Sequence, residues 1–176
     1  MKSLVDHLAQ YAAYHRDRRN IVSHFVGIPL IVYAVAALLS RPGLELAGLW
    51  LSPAAAVALV AGLFYLRLDR LFGIVMALLL ALALWGGALL AEQPTAVWLG
   101  AAVSTFVVGW AIQFVGHYYE GRKPAFVDDL MGLAVGPLFV VAEAAFALGL
   151  RAEVRRAVEE RAGPPGVRPR VSARAR

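Results

Sequence analysis

Four apolar runs, each close to twenty residues long and almost free of charge, constrain this chain more than anything else in it. Residues 21–39, 49–66, 71–91 and 96–116 read as transmembrane helices. At 1.5 Å per residue the first reaches roughly 28 Å, about the thickness of a bilayer's hydrocarbon. A backbone that leaves water must satisfy its own hydrogen bonds, which restricts such runs to helices. The charges crowd instead into 1–20, 67–70, 117–129 and 151–176. Only 16% of residues are charged and 60% are hydrophobic, against about a quarter charged in a soluble domain. The expected fold is an all-α integral membrane protein. Residues 1–150 form a single helical membrane domain, and 151–176 a basic tail, a short helix over 151–161 and then disorder.

Local signals set the boundaries. Leu4, Leu8, Tyr11 and Ala12 recur at helical spacing, so residues 3–19 predict an N-terminal amphipathic helix suited to a membrane surface. Asn20 is the expected N-cap of the first span, and Pro29 should bend that span near Phe25. Arg41-Pro42-Gly43, Arg67-Leu68-Asp69-Arg70 and Glu92-Gln93-Pro94 end successive spans. Trp50 and Tyr65 read as interfacial anchors. The small residues Gly100, Ala101, Ser104, Gly109 and Ala111 would let helices approach closely. No signal peptide is evident.

Residues 126–149 are apolar but interrupted by Gly132, Gly136 and Pro137, with Glu143 inside the run. Basic residues fall at Lys2, Arg16, Arg18 and Arg19, at Arg67 and Arg70, and at Arg122 and Lys123. That alternation fits four spans with a cytoplasmic N-terminus. Eight arginines follow residue 150. A straight fifth span would place them outside, so the favoured reading is a broken, re-entrant segment with its apex at Gly136-Pro137; the straight span is the alternative.

Two polar clusters close apolar runs on the same face, His15 to Pro29 and Gln113 to Pro124. Cysteine is absent, so a metal would be held by imidazole or oxygen donors. His15, His24 and His117 converge on the cytoplasmic side, and imidazole suits iron, copper, zinc and nickel. His15 and His24 would point about 180° apart on one straight helix. They can share an ion only if the chain bends between them, and Asn20 is the expected bend. His7 lies about 12 Å along the axis from His15 and is the weaker candidate. Glu120 shares a helix face with His117 and could be a fourth ligand or a partner fixing the imidazole tautomer. Glu143, an intramembrane carboxylate, reads as functional. The plainer readings are interfacial histidines that only hydrogen-bond, and basic residues that only set topology. The net charge of +5 lies mostly in the tail and does not point to nucleic acid.

The residues Tyr14-His15-x-x-x-x-Asn20-x-x-x-His24-x-x-Gly27-x-Pro29, then Gln113-Phe114-x-Gly116-His117-x-x-x-Glu120-Gly121-Arg122-x-Pro124-Ala125, then Gly136-Pro137-x-Phe139 with Glu143, carry a likeness. Over residues 1–150 the chain resembles the membrane family that includes the fungal 2-hydroxy-fatty-acid dioxygenase of α-oxidation. Tyr119 stands where that family has phenylalanine. The resemblance implies an iron(II)-dependent oxygenation in which a 2-hydroxy fatty acid and O2 give a fatty acid one carbon shorter. It implies Fe(2+) on His15, His24 and His117, with His7 less firmly placed. Arg19, Arg122, Lys123 and Glu143 are then candidates for binding substrate, and Glu120, Arg19, Arg122 and Asn20 for the catalytic surroundings. Guanidinium suits the substrate carboxylate because it can engage both oxygens.

The Arg- and Ala-rich composition suggests a bacterial inner membrane, with the endoplasmic reticulum membrane the counterpart in eukaryotic relatives. Two other readings stay open: a small transporter or lipid-binding membrane module without chemistry, and a zinc-dependent membrane hydrolase.

Overall fold

A computed structural model describes residues 2–46, 49–124 and 129–164, without the side chains of residues 46, 49 and 50. The order is α1 (Leu4–Tyr14), α2 (Arg18–Ser40), β1 (Leu44–Leu46), β2 (Leu49–Leu51), α3 (Pro53–Leu68), α4 (Arg70–Ala91), α5 (Thr95–Glu120), α6 (Met131–Ala147) and α7 (Ala152–Ala162). The expected disorder of the tail and the Trp50 anchor lie outside the described residues and side chains.

Among the described residues three helices, α2, α4 and α5, are long and apolar enough to cross a membrane. Large side chains such as Val60, Leu78 and Trp85 are more than 60% exposed. Apolar helices with an apolar exterior fit a membrane protein. The run 49–66 differs from expectation. It divides into β2, paired antiparallel with β1, and the 16-residue α3, about 24 Å long. Ser52 accepts a hydrogen bond from the Ala55 N–H, and Pro53 opens the first turn. Both residues favour a helix start there rather than at 49. Tyr65 is no interfacial anchor: it is 3% exposed and donates its hydroxyl proton to the Ala134 carbonyl at 2.7 Å.

The break after the N-terminal helix also falls elsewhere than expected. α1 ends at Tyr14, and Asp17, not Asn20, caps α2 by accepting from the Arg19 N–H at 2.9 Å. Asn20 sits inside the first turn of α2, which then continues through Pro29. The apolar side of α1 is covered by protein. Leu4, Leu8 and Tyr11 join Val154 and Val158 of α7 and Val135, Leu138 and Phe139 of α6 in one core.

α2 and α5 form the most extensive helix pair. They run antiparallel and close, because glycine faces the partner helix at two levels, its backbone at one and its side chains at the other. A Cβ on Gly27 would fall 2.9 Å from the Gly109 carbonyl, and one on Gly116 would fall 1.9 Å from the Ser23 hydroxyl and 2.6 Å from Asn20 Oδ1. Any larger side chain at either level would force the helices apart.

The fifth apolar segment is broken as expected, but not at the expected apex. α6 is continuous through Gly136 and Pro137, and the chain reverses only at 148–151, where α6 and α7 meet at 116°. Gly136 serves close packing instead, since a Cβ there would meet the Tyr11 hydroxyl at 3.0 Å and Ile28 at 3.1 Å. At its start, Asp129 accepts from Gln10 of α1 at 3.4 Å. At its finish, Arg151 grips both oxygens of Asp69, in the α3–α4 turn, at 2.9 and 2.8 Å. The ring of His7 in α1 lies against Phe64, near that same turn. The segment therefore starts and finishes on one end of the bundle.

Candidate metal centre

Three buried imidazoles meet where α1, α2 and α5 converge. One ring nitrogen from each of His15, His24 and His117 lies within 4.8 Å of the others. Ring centroids are 4.5 Å apart for His15–His24, 5.1 Å for His15–His117 and 5.2 Å for His24–His117, with the planes steeply inclined. His15 reaches the cluster because the chain turns between α1 and α2, and His24 is nearly two turns into α2. His117 comes from the last turn of α5, brought across by the missing side chain at Gly116.

The hydrogen bonds determine which nitrogen of two rings is free. His15 Nδ1 lies 2.7 Å from the Tyr11 carbonyl and His24 Nδ1 lies 2.8 Å from the Asn20 carbonyl. A carbonyl oxygen only accepts, so each Nδ1 carries the proton and each Nε2 keeps its lone pair. His15 Nε2 and His117 Nδ1 are buried with no hydrogen-bond partner. Orphaned buried ring nitrogens are costly unless something occupies them. Burial, reinforced by His24, holds the His15 imidazole well below its ordinary pKa, so it is a neutral ligand-ready base at neutral pH. Three neutral imidazoles that leave positions open suit a catalytic divalent metal.

A polar layer supports the cluster from below. Glu120 Oε2 accepts from the backbone N–H groups of Arg16 at 2.9 Å and Asp17 at 2.8 Å, and from the Asn20 amide at 3.1 Å. Its carboxylate therefore holds the α1–α2 elbow. Asn20 is fully buried and links that carboxylate to His24 through its own carbonyl.

Other expected residues lie farther out. His7 is not brought to the triad, because eight positions of α1 and its neighbour separate it from His15; its ring rests on Phe64. Arg19 pairs with Asp17 at 3.1 Å and covers the Tyr119 ring. Arg122 donates to the Ala13 carbonyl at 3.0 Å, and Lys123 is exposed just beyond α5. Glu143 lines a groove with Arg155 and Glu159.

Two spaces adjoin the triad. The groove, about 510 Å³, lies between α1, α2, α6 and α7, touches His15, and has charged walls that include Arg18, Glu143, Arg155 and Glu159. The second, about 70 Å³, lies between α2, α5 and α6; it touches His24 and His117, and is otherwise mainly apolar, with Ile28, Ile31, Val32, Trp110 and Leu133 in its walls. The sequence reading gave no role to two residues here. Tyr11 stacks on His15 at 4.1 Å between centroids, and Gln113 faces the smaller cavity. Gln113 was visible only as part of a motif; its spacing of four from His117 is the signal that places both on one helix face.

Comparison with known proteins gives one family and one curated relative. The family model described as 2-hydroxy-palmitic acid dioxygenase Mpo1-like matches residues 1–148. The chain is 27% identical over 154 residues to the 2-hydroxy-palmitic acid dioxygenase MPO1 of Saccharomyces cerevisiae, covering 86% of this chain and 85% of that protein. No solved structure matches significantly.

Proposed function

The chain belongs to the Mpo1-like family, and from that premise we propose that it is an iron(II)-dependent membrane dioxygenase that shortens 2-hydroxy fatty acids by one carbon. The observation that carries this reading is the buried triad of His15, His24 and His117 with two orphaned ring nitrogens. His15 Nε2, His24 Nε2 and His117 Nδ1 would hold a ferrous ion, which would supply the redox chemistry that lets O2 react with a closed-shell organic acid. A 2-hydroxy acid and O2 balance as the shortened acid, CO2 and water, so no further reductant is required.

The protein's own groups prepare the site. The Tyr11 and Asn20 carbonyls fix the His15 and His24 tautomers, as outer partners of metal-bound imidazoles generally do. Glu120 and Asn20 keep the α1–α2 elbow closed beneath the rings. Apolar walls keep water from the reacting carbons. Arg19, Arg122 and Lys123, at the rim where α1, α2 and α5 end, attract the carboxylate head to the interface. The bundle end that carries the triad faces the cytoplasm, since Arg16, Arg18 and Arg19 of the α1–α2 elbow, Arg67 and Arg70 beside the α3–α4 turn, and the arginines of α7 belong to that end.

The test is metal analysis of the purified protein together with turnover of 2-hydroxypalmitate under O2. Expected are one iron per chain, O2-dependent formation of the acid one carbon shorter, and loss of both iron and activity in His24→Ala. Iron-free protein with intact histidines, or activity that survives His24→Ala, overturns the assignment. Three imidazoles suit zinc as well; zinc content with turnover that ignores O2 would favour a hydrolase.

A further inference from the structure

Gln113 is 4% exposed, and its amide nitrogen has no hydrogen-bond partner. A buried amide left unpaired costs the desolvation of a donor, and native proteins keep few of them. Its position is tightly defined. A Cβ at Gly27 would fall 2.6 Å from Gln113 Nε2, so the absence of a side chain at 27 makes room for the amide. Gln113 lies one turn from His117 on α5, and both line the small cavity with His24. That cavity continues away from the rings along Ile28, Ile31 and Trp110. On its open side α5 and α6 scarcely touch, and Leu133 of α6 is 51% exposed. The space is thus a slot with a polar head at the triad and an apolar body that opens sideways.

We infer that this slot between α2, α5 and α6 binds the acyl substrate, and that Gln113 donates its amide N–H to the substrate's carboxylate. An unpaired donor matches a group that only accepts. An apolar wall with a few convergent polar groups is the usual form of a small-molecule site. The slot holds the head and the first carbons of the chain, and the remainder passes between α5 and α6 toward the lipid. The groove on the His15 side also has apolar walls, with Ile21, Phe25, Phe139 and Phe146, but it carries the charges of Arg18, Glu143, Arg155 and Glu159 and reaches neither Gln113 nor the other two imidazoles. The inference rests on the dioxygenase reading for the identity of the acid, but the amide and the slot are features of the chain itself.

The experiment uses the full chain in nanodiscs, loaded with Zn2+ so that no turnover occurs. Equilibrium binding of radiolabelled 2-hydroxypalmitate and of its methyl ester is measured for wild type, Gln113→Leu and Gln113→Glu. Metal content and melting temperature confirm that each variant is folded and loaded. Wild type is expected to prefer the acid. Gln113→Leu should retain metal and fold but bind the acid about ten- to a hundredfold more weakly, the usual effect of removing a hydrogen bond to a charged acceptor, with little change for the ester. Gln113→Glu should reject the acid and recover binding of 2-hydroxypalmitamide, whose amide can donate to the new carboxylate. An unchanged preference for the acid in Gln113→Leu overturns the inference and leaves the dioxygenase reading standing. Binding that follows these expectations, with no O2-dependent turnover by the iron-loaded wild type, supports the slot and defeats the dioxygenase reading. Absence of acid binding to wild type overturns both.

Discussion

His15 and His24 use the same local device: each ring donates Nδ1–H to the carbonyl four residues earlier, at Tyr11 and Asn20. The Tyr11 carbonyl lies in the last turn of α1, where helix carbonyls lack backbone partners, so the bond satisfies an orphan and aims the ring into the triad at once. Because burial keeps the His15 pKa well below ordinary, unfolding lets the ring take up a proton near pH 6.5. Its contribution to stability is therefore complete above that pH and falls as pH drops below it. Protons compete with metal in the same direction. Melting temperature of the apo protein and metal affinity should both fall between pH 7 and pH 5. Glu120→Ala removes the acceptor of two backbone N–H groups and one amide; a loss of about 3 kcal/mol and a 10- to 100-fold weaker metal affinity are expected in thermal melts and metal titration. The three triad histidines stand out in the sequence because ionisable groups bordering apolar runs are rare. Gln113 did not, since a glutamine in a helix end gives no pattern until its buried, unpaired amide is seen in three dimensions.

At the scale of elements, the α2–α5 contact decides whether the three imidazoles meet. Gly116→Ala places a methyl group on Ser23 and Asn20, and overpacking of this kind costs about 1–3 kcal/mol. The variant should lose metal along with stability. Gly100→Ala, with nothing within 4 Å of its added methyl, is the matched control and should retain metal. Metal content after purification separates the two. The helices around the triad were readable from length and hydropathy, and Gly109 from its small size. The position of α6 was not. Seventeen apolar residues look the same whether they cross a bilayer, dip into it or lie along a bundle end, and the bonds that hold the segment's two ends, Asp129 to Gln10 and Arg151 to Asp69, are long-range. A Gly-Pro pair was expected to turn the chain, but proline removes only one donor from a helix, and α6 tolerates that loss while Gly136 admits the Tyr11 ring.

For the whole molecule, α7 is held by more than its own core residues. Arg16 donates to the carbonyls of Ala162, Gly163 and Pro164, and Arg151 holds Asp69 with paired bonds. Arg151 keeps the Asp69 carboxyl below the ordinary range. Arg16→Leu leaves three helix-end carbonyls without their donor, and α7 should be cleaved sooner by trypsin under native conditions, with the membrane-embedded helices intact; equal cleavage of variant and wild type would argue against the latch. The expected boundary at 150 followed the change in composition, which does not reveal that Val154 and Val158 fill the same core as Leu4 and Leu8.

The triad draws two of its members from neighbouring positions in the chain and the third from more than ninety residues downstream. A ribosome building this protein releases His15 and His24 well before His117 is polymerised. During that interval the unfinished product has only two of the three rings and no Gly116 to seat them against. If the triad takes up a metal as proposed, loading would wait for the fifth helix, and the nascent chain would be spared a half-built centre.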